Sequence, residues 1–506
     1  MRQVLLGVDV GTTTIKALAV TPEGSVVAEA SRPCAVTRTG HDRCELELAG
    51  CWTAIQGCCA DLRATGLAPH EVAALAVAAH AETVAPLDRR GEALRPAIVW
   101  VDGRSSREAR ELAEEFGEDT LYRVTGQPRA LPVWPATKIL WLARQEPAVH
   151  AAARWWVQPL DYVYLRLTGR MLSDPSVYSS SLMLDIRSRE WWTPMLDRIG
   201  VAAAQLPELV DAGTVVGGLP ADAASALGLA VGTPIVMGGF DQACTALGAG
   251  NAIPGVASES TGTSLALHAT VAGLPSPRAG DTVPLHLHVV PGCSLLNANA
   301  PTAGATLDWF RTALATGGGT YEELARVAGS VAPGSDGVVV LPHLAGSVSP
   351  DFDPAARGVV FGLSTHHTAA HVARAAFEGV GFALADLLDA ERSLGALPSA
   401  IRSVGGGSRS DLWLQIKADI VNLPLIANER HDAGALGAAM LAGVGVGVFA
   451  SAAEACDRMV RARATFEPDP ARVARYAELR ATYRELYPRL RTLFPRPDDR
   501  QEHEQC

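Results

Sequence analysis

The chain has 506 residues, more than one hydrophobic core holds and a length that suits two or three domains. Hydrophobic residues make up 48% and charged residues 19%, which excludes a disordered chain. Its 43 basic and 54 acidic side chains, a net −11, exclude the basic face that a nucleic-acid binder turns to phosphates.

The opening MRQVLLGVDVG has Asp9 inside its apolar run and no small-residue cleavage site, so no secretory leader is expected. QVLLGVDV reads as a strand, GTTT as a turn, IKALAV as a second strand, and TPEG as a hairpin into SVVAEA. Ala49 to Ala64 is helical in pattern and Leu75 to His80 returns to a buried strand, an alternation that predicts an α/β layered fold. Ser105–Phe116 and Thr137–Arg144 read as helices, the second with Trp141 on its apolar side. The tryptophans Trp155, Trp156, Trp191 and Trp192 read as core packing. After Gly250 a strand-rich stretch begins again, and STGTSLAL echoes VDVGTTTIKAL. The echo puts a boundary near Asn251 to Pro254 and predicts domains over 1–250 and 251–506. From Gly434 to Ala453 there is no charge, long enough to span a bilayer. Its glycines instead predict a buried helix over Ala433–Ala442 followed by a turn. Near the end, Tyr476, Tyr483 and Tyr487 mark an amphipathic helix packed on the second domain. The nine cysteines include no CxxC pair, which predicts reduced thiols and a cytoplasmic protein.

Three places could carry chemistry. Asp9-Val10-Gly11-Thr12-Thr13-Thr14, with Lys16, ends a strand in a carboxylate and turns backbone N–H groups and hydroxyls toward one spot. That suits phosphate and its Mg²⁺, or is an ordinary turn. Asp241 follows an apolar strand and the pair Gly238-Gly239, a place for a general base or for a helix N-cap. Gly405-Gly406-Gly407 lies between a strand and a helix and either opens the backbone to a nucleotide or only turns the chain. No Walker, GxSxG or HExxH pattern occurs. His366, His367 and His371 read as a polar turn with no carboxylate nearby to complete a metal site, and His286 and His288 as structural.

Together these segments resemble the FGGY carbohydrate kinases. The resemblance is carried by GVDVGTTTIK (7–16), Trp100-Val101-Asp102-Gly103-Arg104, TKILWL (137–142), DYVYLRLTG (161–169), GGFDQACTALGAG (238–250) and TGTS (261–264). It continues through AGATLDW (303–309), DPAARGVVFGL (353–363), HVARAAFEGV (371–380), GGGSRSDLWLQIKAD (405–419) and DAGALGAAMLAG (432–443). It implies two actin-like ATPase (ribonuclease H-like) domains with a nucleotide and sugar cleft between them, and transfer of the γ-phosphoryl of Mg·ATP to a sugar hydroxyl. It implies Asp241 as the base and Asp9, with Asp241, as the Mg²⁺ site. Gly11, Thr12, Thr13, Thr14 and Lys16 would meet the phosphates from one hairpin, and Gly262 and Thr263 from the other. Gly304, Gly405, Gly406 and Ser410 would cradle the nucleotide.

The sugar side would fall on Ala81, Glu82, Trp100, Asp102 and Gln242, and here the sequence departs from its relatives. Xylulose kinases carry Met-His where Ala81-Glu82 stand. Glycerol kinases share Glu82-Thr83 and Asp241-Gln242 but carry Arg at the place of Ala81 and a Tyr near Val133. Gly346-Ser347-Val348 replaces the usual Gly-Glu-Arg. The expectation is an ATP-dependent kinase of a pentulose such as xylulose, acting without nucleic acid or membrane, with a homodimer left open. The alternatives are a polyol or glycerol-like kinase, a sugar sensor without turnover, and a non-metabolic actin-like ATPase.

Overall fold

A computed structural model describes residues 3–40, 42–278, 280–314 and 319–495; the end of the predicted second domain lies outside the described residues. In the first half the elements that matter are strands β1 Val4–Val10, β2 Thr14–Val20 and β3 Val26–Pro33, helix α1 Leu48–Ala64 and strand β4 Val72–Ala79. Helices α2 Ser106–Phe116, α3 Pro135–Gln145 and α4 Pro159–Thr168 follow, then β5 Val215–Gly218, β6 Pro234–Phe240 and α5 Asp241–Ala249. The second half has β7 Val256–Thr261, β8 Leu265–Ala272, β9 Leu285–Leu287, β10 Cys293–Ala300, α6 Gly304–Trp309 and α7 Ala369–Ser393. It ends with β11 Ala400–Val404, α8 Asp411–Val421, β12 Leu425–Asn428, α9 Gly434–Gly445, β13 Ala462–Phe466 and α10 Pro470–Leu490.

The two halves share a six-strand order, to which the second adds the edge strand β9. In the first the order is β5-β6-β4-β1-β2-β3; in the second it is β9-β10-β8-β7-β11-β12-β13. Each half opens with an antiparallel hairpin, β1–β2 or β7–β8, and then adds a strand parallel to the first, β4 or β11. The echo between the two Gly-hydroxyl turns is thus part of a repeated topology. β1 is buried along almost its whole length, as a central strand covered on both faces must be.

Helix α9 comes from the second half but packs on β1, β4 and β6 of the first sheet and on α5. That approach explains the glycines of the charge-free segment. A Cβ on Gly7 would stand 1.8 Å from the Ala435 carbonyl oxygen, and one on Gly437 would stand 1.9 Å from that of Cys244. Glycine is what lets the backbones meet. The helix runs three residues beyond the predicted Ala442, and among the described residues no helix is long and apolar enough to cross a membrane. In α10, Tyr476 is buried and its hydroxyl donates to Glu378 Oε1 on α7 at 2.8 Å. Trp156 is fully buried and Trp155, Trp191 and Trp192 pack partly buried against the core, as expected.

Candidate active site

Parallel strands β1, β4 and β6 end at the same edge of the first sheet, with Asp9 opposite Ala78 and Phe240 opposite Ala79. Their register therefore delivers Asp9, the His80–Glu82 turn and Asp241 to one place, beyond the carboxyl ends of the strands. Asp9 and Asp241 are half-buried, and each has an Oδ1 buried without a hydrogen-bond partner. Burial pushes the Asp9 carboxyl up to about 8, with the charges of Asp241 and Asp432 adding to it and Lys16 opposing. Burial likewise pushes Asp241 up to about 7, followed by the charge of Glu82. Glu82 is raised to about 7 by burial, against the pull of Lys138 and of Ser180. Three carboxylates thus crowd together with little positive charge to balance them.

Oxygen donors of this kind suit a hard divalent cation, and the two orphaned Oδ1 atoms are the observation that fits one. Lys16, expected at the phosphates, pairs with Asp432, Nζ to Oδ2 at 2.5 Å. Gly434 begins α9 against Asp9: a Cβ there would lie 2.5 Å from Asp9 Oδ2.

Thr12 and Thr14 are half-buried and Thr13 is exposed in the β1–β2 turn, beside Gly11. Thr12 Oγ1 accepts the indole N–H of Trp100 at 2.9 Å, which ties the phosphate turn to the expected sugar loop. Trp100 itself is 40% exposed. Gln242 is half-buried next to Asp241.

Two expected sugar residues stand apart. Ala81 is fully buried. Asp102 is also fully buried, and its oxygens accept Cys44 N–H at 2.6 Å, Arg104 N–H at 3.0 Å and the Arg104 side chain at 2.7 and 2.8 Å. In this conformation Asp102 holds the loop behind Trp100 and has no oxygen to offer a ligand.

In the second half, Gly262 and Thr263 are exposed in the β7–β8 turn. Their carbonyls accept the first N–H groups of α6 and its cap: Gly304 to Gly262 at 2.9 Å, Ala303 and Ala305 to Thr263 at 2.9 and 3.1 Å. Gly304 is needed for this approach, since a Cβ would meet Gly262 O at 2.3 Å. Gly405, at φ 78°, packs on Thr261 and donates its N–H to His431 O at 2.8 Å, while Gly406 is exposed. Ser410 caps α8, its hydroxyl accepting Trp413 N–H at 3.4 Å.

The strap His431–Gly434 therefore links the Gly405 loop to the first hairpin: it accepts the Gly405 N–H at one end and, through Asp432 and Gly434, meets Lys16 and Asp9 at the other. A separate cavity of about 380 Å³, lined by Thr302, Ser349, Asp386 and Tyr483 among others, lies in the second half away from the three carboxylates.

Sequence reasoning missed several residues. Asp432 and Gly434 stand in the DAGALGAAM motif but gave no local sign of facing Asp9. Lys138 is a lone lysine in an apolar helix, which was a signal. His80 donates from Nδ1 to Val10 O at 2.9 Å, leaving Nε2 buried without a partner, and burial pushes it down to about 4. One expectation needs correction: a carboxylate does complete the histidine set, because Asp336 reaches His366 Nε2 at 2.8 Å across a loop distant in sequence. Backbone N–H groups of Ser364 and Thr368 donate to Nδ1 of His367 and His371, at 2.8 and 3.1 Å. That puts the proton of His367 on Nε2, toward the Asp336 carbonyl oxygen at 3.4 Å, so His366 and His367 form a hydrogen-bonded group around Asp336.

Residues 4–248 match the N-terminal domain of the FGGY family of carbohydrate kinases and residues 257–446 its C-terminal domain. The xylulose kinase of Escherichia coli strain K12 is 33% identical over 492 residues, covering 97% of this chain and 99% of that protein. Among solved structures, the xylulose kinase of Rhodospirillum rubrum has a TM-score of 0.91 at 28% identity, covering 98% of this chain and 100% of the other. The gluconate kinase of Lactobacillus acidophilus also reaches 0.91, at 25% identity, covering 97% and 98%.

Proposed function

The chain belongs to the FGGY family of carbohydrate kinases, and from that membership we propose that it phosphorylates a pentulose such as xylulose with Asp241 as general base. It is a kinase with the family's actin-like ATPase fold, and kinases of this family use ATP with a divalent metal. The observation that carries the proposal is the convergence of Asp9, Asp241 and Glu82 at the ends of three neighbouring strands, two of them with an unpartnered oxygen.

An alcohol is a poor nucleophile, and a carboxylate raised to about 7 accepts a proton near neutral pH. Asp241 takes the proton of the reacting hydroxyl, while Glu82 and Gln242 accept and donate hydrogen bonds to its neighbours. The half-buried turn Gly11–Thr14 and the exposed turn Gly262–Ser264 offer N–H groups and hydroxyls to the phosphates, so the chain's work is positioning more than covalent chemistry. Asp9 and Asp241 would hold the divalent ion, for which Mg²⁺ is our assignment. Bound there, it neutralises charge on the phosphates of ATP. The setting is cytoplasmic in this reading, where ATP is supplied.

Relatives that carry the name xylulose kinase support the sugar, while a gluconate kinase of the same fold shows that fold alone does not choose it. A polyol kinase is the second reading, favoured by the carboxylate of Glu82 beside Asp241. Purified protein with ATP and Mg²⁺ is to be tested against pentuloses, hexuloses, polyols and gluconate. Xylulose should give the highest kcat/KM; a polyol ahead of every ketose replaces the first reading by the second.

A further inference from the structure

Glu82 holds φ 64°, the left-handed region that residues with a side chain seldom adopt. A turn of that kind persists only when its surroundings hold it. Two side chains from separate helices do so. Lys138, fully buried on α3, donates from Nζ to the Glu82 carbonyl and to the Val133 carbonyl, both at 2.6 Å. Gln158, buried at the start of α4, accepts the Glu82 N–H on Oε1 at 2.6 Å. Gln158 is fixed in turn, since its own N–H donates to Asp161 Oδ2 at 2.7 Å, which also accepts the Tyr178 hydroxyl at 2.6 Å. Both polar groups of the Glu82 backbone are therefore taken by side chains.

We propose that Lys138 is a positioning residue for substrate recognition: its clamp on the Glu82 carbonyl keeps the Glu82 carboxylate beside Asp241, and so sets affinity for the hydroxylated substrate and leaves affinity for ATP alone. The proposal rests on the sugar-pocket reading above. A core position that needed only volume would take Met or Leu, because burying an ammonium group is costly. Burial lowers Lys138 to about 7, with Glu82 pulling it back up. The clamp works in both protonation states, since a neutral amine still has two N–H donors for two carbonyls.

The test compares wild type, Lys138→Met, Glu82→Ala and the double variant. Lys138→Met should raise the sugar KM by about tenfold or more with the ATP KM unchanged, the size expected for one lost buried hydrogen-bond partner. The double variant should be no worse than Glu82→Ala alone, because Lys138 acts through Glu82. Additive effects, or an equal rise in the ATP KM, overturn the proposal. Should Lys138→Met fail to fold, Gln158→Met removes the other holder and should give the same split; a normal sugar KM there overturns it. A crystal structure of Lys138→Met without substrate separates the two readings. Glu82 should leave the left-handed region, and a turn that stays in place overturns the clamp. A wild type that phosphorylates no sugar overturns the function while that structural result still decides the clamp.

Discussion

Around the β1–β2 turn, Asp9 stands beside Asp241 and Asp432 with an oxygen unpartnered and its carboxyl raised to about 8. Around the β7–β8 turn, the corresponding stretch of strand carries Glu259, fully buried but satisfied. It accepts Lys417 Nζ at 3.0 Å, the Thr261 hydroxyl and the Ser403 hydroxyl, and Lys417 also donates to Thr261 at 2.6 Å. Two copies of one topology have divided the work. The first keeps its acid short of partners, ready for a proton or a cation; the second pairs its acid and uses it to brace the turn. At these two turns, then, the unrelieved carboxylate lies where we propose the chemistry, and the paired one braces its own turn.

The contrast breaks most readily at Asp241. Asp241→Asn keeps the shape and removes the basicity, so kcat should fall by about 10²–10⁴-fold or more while ATP binding survives. Near-normal kcat with the best sugar would remove the base assignment. If Asp241 is the base, wild-type kcat should rise with pH to a plateau, with its midpoint below the value of about 7 of the metal-free site because bound metal favours the ionised carboxylate. The supporting half should fail in stability instead. Lys417→Met leaves Glu259 buried without its cation and should cost about 3–5 kcal/mol in urea unfolding. An unchanged urea midpoint would mean that the Lys417–Glu259 pair does not brace the second half.

Asp9→Asn sharpens the contrast by its sign. The folded value near 8 lies above the ordinary 3.8, so the charge of Asp9 costs folding nothing in acid and more as pH rises between those values. The variant should lose activity, partly restored by higher Mg²⁺, yet gain in Tm, with the gain larger at about pH 8 than at about pH 5. A fall in Tm across that range would contradict the unrelieved charge. Glu82→Ala should raise the sugar KM by the equivalent of about 1–3 kcal/mol and leave the ATP KM alone. The smallest effect is expected at Trp100→Phe, which removes only the indole donor to Thr12. It should cost about 0.5–1.5 kcal/mol in kcat/KM, visible for ATP and sugar together because the bond joins both turns.

Consecutive residues were enough to read much of this molecule. The hairpins at Gly11–Thr14 and Gly262–Ser264, the strand ends that carry Asp9, Glu82 and Asp241, and the helices after each Gly-rich turn all follow from local patterning and turn chemistry. Those signals lie within a few residues of one another, which is why they are legible. The order of motifs also carried the family.

Only the tertiary structure decided which distant groups meet. It put Asp432 against Lys16, Asp336 against His366, and Lys138 under Glu82. It turned the Asp102 carboxylate to Arg104 and Cys44, although the family resemblance implied a place at the sugar. It laid α9 from the second half across the first sheet, which decided what the buried helix foreseen from its glycines packs against. Sequence sets strands, turns and the chemical identity of the groups. Which groups become partners depends on sheet order, strand register and helix packing, and these arise from burying whole faces at once. No single segment contains that information.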